Sequence, residues 1–365
     1  MAYKIINNIP VWGEPISEAL DQITNCAKNA DYAALMADHH LGYAVPIGGV
    51  VAYRDKISPS GVGFDIACGN KAMRLDVPAL QVKENISLFE DDQAWNIKEA
   101  KKLKSLAQSQ LGTIGSGNHY VDIFIDEQER IWVGVHFGSR GFGHHMAEHF
   151  IKAGGGKDGM FVDPVLLDIK SNLGQEYIAC MKLAGRYAYA GRDWVCNRMA
   201  KLLGTKILEE IHNHHNFVWL EKHNGEQLWV VRKGATPAFK GQKGFVGGSM
   251  GDISVIIEGV DSPESPTSLY STVHGAGRVM SRTAAAGRFR GRRRIGGLVT
   301  RNMMMNWIKE QGVELRGAGT DESPHCYKRL PEVLEHHKNS IRVFYTLKPL
   351  GLPMVGENEF DPYKD

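Results

Sequence analysis

The chain has 365 residues, with 43 lysines and arginines against 41 aspartates and glutamates and a net charge of +2. So even a balance excludes binding to nucleic acid through overall basicity, and any such contact has to come from a local patch. The length suits one large core or two ordinary domains, the five cysteines form no C-x-x-C pair and read as reduced thiols, and no apolar run is long enough to cross a bilayer.

In chain order, the first residues, Met1 to Asn8, lack an apolar stretch followed by a small-residue cleavage site, so a soluble cytoplasmic protein is expected. Residues 16–30 carry Ile16, Leu20, Ile23 and Ala27 at helical spacing. Residues 32–36 read as a buried strand running into Asp38, His39 and His40, and residues 46–53 as a second strand leading to a glycine-rich loop over 61–69. A strand over 131–136 ends in His136 beside a glycine break, a good place to present a side chain to a cleft. After Gly154-Gly155-Gly156, the pattern predicts a helix over 176–203 that continues through 206–214, placing His214 and His215 at its carboxyl end. Strands follow at 228–231, 253–257 and 341–347, with a helix over 303–309 between the last two. There is no solenoid repeat and no convincing linker, so residues 1–365 are expected to fold as one unit.

Several of these stretches carry chemistry. The segments Gly61 to Gly69 (with Asp65 and Cys68), Gly115 to His119, Val135 to Gly141 and His214-His215-Asn216 place a thiolate, a carboxylate and several imidazoles beside turn-forming residues. That mixture suits a borderline divalent ion, and one thiolate sulfur can bridge two. The run His274-Gly275-Ala276-Gly277-Arg278 to Arg282 sets an imidazole beside a backbone that can approach a phosphate closely and two guanidinium groups that can grip it. Its alternative is a glycine turn leading into a basic helix. The cluster Arg288, Arg290, Arg292, Arg293 and Arg294 is either a nucleic-acid patch or a solvated loop. His39, His40, His144 and His145 come in adjacent pairs, whose members point to opposite faces of a strand, and they stay outside the ligand set.

Taken together, Asp38 to Gly49, Gly61 to Gly69, Leu111 to His119, His136 to Gly143, His215-Asn216 and Ser271 to Arg282 resemble, in order, the signatures of the RtcB family of RNA ligases. The resemblance covers nearly the whole chain. It implies an α+β fold of central sheets flanked by helices, with a metal site in a central cleft. It further implies an enzyme that uses GTP and two manganese ions to join RNA ends bearing a 3′-phosphate or 2′,3′-cyclic phosphate to 5′-hydroxyl ends, with RNA repair as its role. His274 would be the nucleophile that becomes guanylated. Asp65, Cys68, His119, His136 and His215 would be the metal ligands, with Cys68 as the bridge. Asn118, Asp122, Ser249, Ser254, Gly275, Ala276, Gly277 and Tyr327 would hold the nucleotide, and Arg140, Arg278 and Arg282 the phosphates. An activating protein partner also fits the resemblance.

The chain departs from the family pattern in places. Asp122 stands where a glutamate is usual, Pro237 where an arginine is usual, and the carboxyl-terminal stretch from Lys348 to Asp365 has no counterpart to the family's guanine-contacting lysine. Two other functions stay open on the residues alone: a metal-dependent phosphoesterase for RNA ends, and a non-catalytic RNA-end binder. Only the ligase has a use for a histidine nucleophile.

Overall fold

In the computed structural model, which describes residues 3–75, 93–157, 159–290 and 293–356, alternation of apolar residues decides how the first sheet faces. Its six strands run Tyr3–Ile6, Ile9–Trp12, Tyr32–His40, Ile47–Tyr53, Glu226–Lys233 and Asn216–His223 in spatial order. Val11, Leu35, Val51 and Val231 point to one side, where they pack with residues of the helices Ser17–Ala27, Arg140–Ala153 and Asn172–Leu202. Their neighbours Trp12, Ala34, Met36, Val50 and Val230 point to the other side and meet Val246, Val255 and Ile257 of a second sheet. Each such apolar side chain, fully buried, contributes about 1.5–3 kcal/mol.

The second sheet has eight strands: Glu209–His214, Gly69–Arg74, Ile131–Phe137, Tyr120–Asp126, Ile341–Gly356, Ser254–Gly259 and Lys243–Val246 in order, with Glu314–Ala318 pairing in parallel beside Ile341–Gly356. The sheet nearly closes on itself. Asn70 Nδ2 donates to the Phe245 carbonyl and the Phe245 N–H donates to Asn213 Oδ1, both at 2.9 Å, so the first strands of the order are tied to the last. This mixed arrangement of sheets and flanking helices is the α+β fold expected.

Most predicted elements appear with shifted ends. The helix expected over 16–30 is Ser17–Ala27, that over 176–203 is Asn172–Leu202, that over 303–309 is Arg301–Gln311, and the last strand runs on to Gly356. One expectation fails in kind. Residues 206–214 are not a helical continuation: Gly204 adopts a left-handed φ of +63°, and Glu209–His214 is a strand pairing antiparallel with Gly69–Arg74. Alternation of Ile207, Ile211 and Asn213 inward fits a strand period that a short apolar count cannot tell from a helical one. The correction matters for the site, because His215 is then the single residue between Glu209–His214 of the second sheet and Asn216–His223 of the first.

Candidate active site

His215 at this junction and His136 near the end of its strand converge on Cys68. Cys68 Sγ lies 3.2 Å from His136 Nε2, and Cys68, His136 and His215 offer ligand atoms within 4.8 Å of one another. A second group shares the sulfur. Asp65, Cys68 and His119 also lie within 4.8 Å, with His119 Nε2 at 3.2 Å from Asp65 Oδ2 and at 4.0 Å from Cys68 Sγ. All five residues are buried. Burial pushes the His136 and His215 imidazoles well below their ordinary value, so both are neutral and carry a lone pair. Burial alone would raise Asp65, but the hydrogen bond and charge of His119, with Arg140 nearby, hold its carboxylate below the ordinary range. Thiolate, carboxylate and neutral imidazoles in two groups around one sulfur are a donor set that fits two borderline divalent cations.

Local backbone builds this corner. Ser139 N–H donates to Asp65 Oδ1 at 2.9 Å, and a side chain at Gly138 would collide with the same carboxylate. Ala67, one residue before Cys68, takes a left-handed φ of +61°, a conformation that costs a non-glycine residue about 1 kcal/mol or more. Its carbonyl accepts from Arg192 Nη1 at 3.1 Å, and Arg192 also donates to the Phe137 carbonyl. Fully buried Arg192 thus braces the residues adjoining Cys68 and His136. It also bonds His214 Nδ1 at 3.0 Å, which turns that ring away from the ligand group and separates its role from that of His215.

His274 stands against the metal-type cluster, its ring centroid 4.7 Å from that of His215. Asp38, at the buried end of its strand, accepts from His274 Nδ1 at 2.6 Å and from the His274 backbone N–H at 3.0 Å. Burial would raise Asp38, yet the His274 ring and N–H groups hold it below the ordinary carboxylate value. An ionised carboxylate only accepts, so Nδ1 carries a proton, and it is Nε2 that bears the lone pair whenever the ring is neutral. The loop can lie this close because residue 277 is glycine: at φ +77° it sits where any Cβ would strike the Asp38 backbone carbonyl.

Around His274 opens a cavity of about 730 Å³ whose lining includes Asp65, Cys68, His136 and His215. Of the expected nucleotide residues, Asn118, Asp122, Ser249, Gly275, Ala276, Gly277 and Tyr327 line it. Buried atoms Asn118 Oδ1, Tyr120 Oη, Asp122 Oδ1 and Ser249 Oγ have no hydrogen-bond partner among the described residues. Ser254 does not line the cavity; its hydroxyl accepts from the Gly248 N–H at 3.0 Å and so shapes the loop bearing Ser249. The arginines divide as well. Arg278 and Arg282 line the cavity and both pair with buried Glu322, Arg278 at 3.4 Å; Arg278 also donates to Tyr327 Oη at 2.8 Å and to the Asp321 backbone carbonyl at 2.7 Å. Arg140 is not among the lining residues; it packs behind Asp65 under Gly115, with Nε 3.4 Å from Thr113 Oγ1. Residues 288–290 and 293–295 form a two-stranded hairpin, and Arg292 lies outside the described residues, as do residues 357–365.

Three contributors were not expected from the sequence: Asp38, Arg192 and the Asp321–Glu322 pair. Asp38 had a signal, a lone carboxylate ending a buried apolar run. Arg192 had none, being one cation inside a long helix.

Asp122 sits wholly buried, and desolvation pushes its carboxyl well above the ordinary value. A raised value in the folded state means that the proton is held more tightly there. The associated stability is complete below the unfolded pKa of about 3.9 and is lost as pH rises through the folded value. Asp122→Asn should therefore gain in Tm on the wild type as pH rises from 5 to 8, measured without nucleotide. Melting curves at both pH values check this, and an equal difference at the two would refute it.

Comparison with known proteins supplies an independent line. The chain matches the family model described as tRNA-splicing ligase RtcB over residues 20–92 and 89–353. It is 30% identical to the RNA-splicing ligase RtcB of Escherichia coli (strain K12), over 95% of this chain and 98% of that protein. It is 27% identical to the tRNA-splicing ligase RtcB of Thermococcus kodakarensis, over 88% of this chain and 87% of the relative. With the RNA-splicing ligase RtcB homolog 1 of Entamoeba dispar the figures are 28%, 96% and 83%.

Proposed function

The chain belongs to the RtcB family and is an RNA ligase, and from that premise we propose that it joins RNA 3′-phosphate or 2′,3′-cyclic phosphate ends to 5′-hydroxyl ends through a guanylated His274. In this reading, GTP is the nucleotide and manganese the metal. The observation that carries it is the position of His215, which belongs to the Cys68–His136 group and touches the His274 ring at 4.7 Å between centroids. A nucleophile and a cation-binding cluster share one wall of the cavity.

Asp65, Cys68, His119, His136 and His215 would hold the two cations, which when bound supply positive charge against phosphate oxygens and lower the pKa of water. Asp38 keeps the proton on His274 Nδ1, so Nε2 is free to attack the α-phosphorus of GTP. A P–N bond forms, the bond to the β-phosphate breaks and pyrophosphate leaves. The ring keeps its Nδ1 proton, and its positive charge faces the Asp38 carboxylate. An oxygen of the RNA 3′-phosphate then takes the guanylate, restoring the Nε2 lone pair and leaving that phosphate as an activated anhydride. Attack by the 5′-hydroxyl completes the phosphodiester and releases GMP. A cyclic phosphate would first be hydrolysed to the 3′-phosphate. These groups of Asn118, Tyr120, Asp122 and Ser249 offer the nucleotide hydrogen bonds that the described residues leave unmade.

Intact mass after incubation with GTP and manganese tests the reaction class. An acid-labile gain of one guanylate should appear in the wild type and in His336→Ala, outside the cavity, and vanish in His274→Ala. A persistent adduct in His274→Ala would move the nucleophile elsewhere; no adduct, with opening of cyclic phosphate ends, would favour the phosphoesterase. Repair of damaged RNA remains the proposed role, and sealing of generic tRNA halves as fast as nicked structured RNA would count against it.

A further inference from the structure

A second stretch of the same cavity's lining differs in character. Tyr43, Phe64 and Met160 line it, and Tyr43 is 45% exposed and Met160 40% exposed. The Tyr43 ring meets Phe64 edge-on, with centroids 5.8 Å apart, and Phe64 stacks on His144 at 5.1 Å. Phe64 immediately precedes the metal-type residue Asp65, so this aromatic row begins at the reacting groups and runs outward.

An exposed tyrosine alone says little, but this one is held in place. Its loop is clamped by Gln22, 4% exposed, which donates to the Gly42 carbonyl at 2.5 Å and accepts from the Gly42 N–H at 3.0 Å. The same Gln22 amide donates to the Met160 carbonyl at 2.6 Å. Lys233, also 4% exposed, donates its ammonium to the Tyr43 carbonyl at 2.6 Å and to the Ser60 carbonyl at 3.3 Å. Two buried polar side chains thus fix the backbone under a ring that faces water. The Lys233 ammonium beneath this loop is directed at backbone carbonyls, and the ring above it presents an apolar face.

We propose that Tyr43, backed by Phe64 and His144, is a stacking platform for an unpaired nucleobase at an RNA end whose terminal phosphate or hydroxyl lies by His274. The inference rests on the RNA-joining reading above and adds where the strand is gripped. An unstacked base of any identity offers a π-face, so such a platform tolerates sequence while fixing the end of the strand. The fixed loop reduces the conformational freedom lost on binding.

Two RNA oligonucleotides test it, one with 2-aminopurine next to a 3′-phosphate and one with 2-aminopurine at a 5′-hydroxyl end. Stacking should quench one of them with the wild type, which identifies the strand held. Tyr43→Ala should lose the quench and weaken Kd about tenfold, while Tyr43→Phe keeps both. Matching melting temperatures for the two variants separate loss of the ring from loss of the fold. Absence of quenching with either oligonucleotide, or an unchanged quench in Tyr43→Ala, overturns the platform. Quenching that depends on Tyr43 in a protein that forms no guanylate adduct supports the platform and sinks the proposed reaction instead.

Discussion

Asp38→Asn is expected to slow guanylation of His274 by about 10²-fold, although the substitution replaces a single heavy atom. The carboxylate accepts from the ring Nδ1 and from the backbone N–H of His274 and Gly275, at 2.6, 3.0 and 3.3 Å. All three donors meet the same oxygen, Oδ2, so an amide can place its single carbonyl oxygen there and keep the tautomer, but it carries no charge. The charge that the ring acquires on attacking phosphorus would then lose its counterion. A time course of adduct mass over several pH values measures this. A loss smaller than tenfold would mean that the charge on the ring is balanced by something other than Asp38.

Cys68→Ala should have the next largest effect, because one sulfur belongs to both ligand groups. Removing it leaves His136 with His215, and Asp65 with His119, neither a complete set for a borderline cation. We expect manganese content after dialysis to fall from two ions to fewer than one, with affinity reduced more than 100-fold and guanylation reduced in step. His119→Ala, which leaves Cys68, His136 and His215 together, should retain about one ion by the same measurement. Equal metal content in the two variants would show that the sulfur does not serve both groups.

How far the sequence could be read followed from what kind of interaction each residue makes. Residues whose chemistry is unusual for their setting, such as Cys68 in a glycine-rich loop and His274 before Gly275, advertised themselves. The strands 32–40 and 131–137 were legible as short, nearly continuous apolar runs bounded by turn residues, the mark of a strand covered on both faces. The stretch 206–214 was misread because its pairing partner is Gly69–Arg74, far away in the chain, and the pairing overrides local propensity. The residues alone left His214 and His215 undistinguished for a similar reason: Arg192, a helix residue with no local mark, engages His214 and leaves His215 to the ligand group. The sequence marked Arg278 and Arg282 for phosphate but gave no sign of Asp321 and Glu322, some forty positions later, which pair with them.

The order of the parts along the polypeptide has its own consequence. Every residue of the two candidate ligand groups lies at or before position 215, while the proposed nucleophile lies at 274 and is held by a carboxylate at 38. A ribosome that has passed the last ligand has therefore built the whole donor set and none of the reactive imidazole. A product truncated soon after position 215, by stalling or by a protease, would carry the candidate donor residues without the strands Glu226–Lys233 and Ile341–Gly356 that complete the two sheets, and with nothing to guanylate.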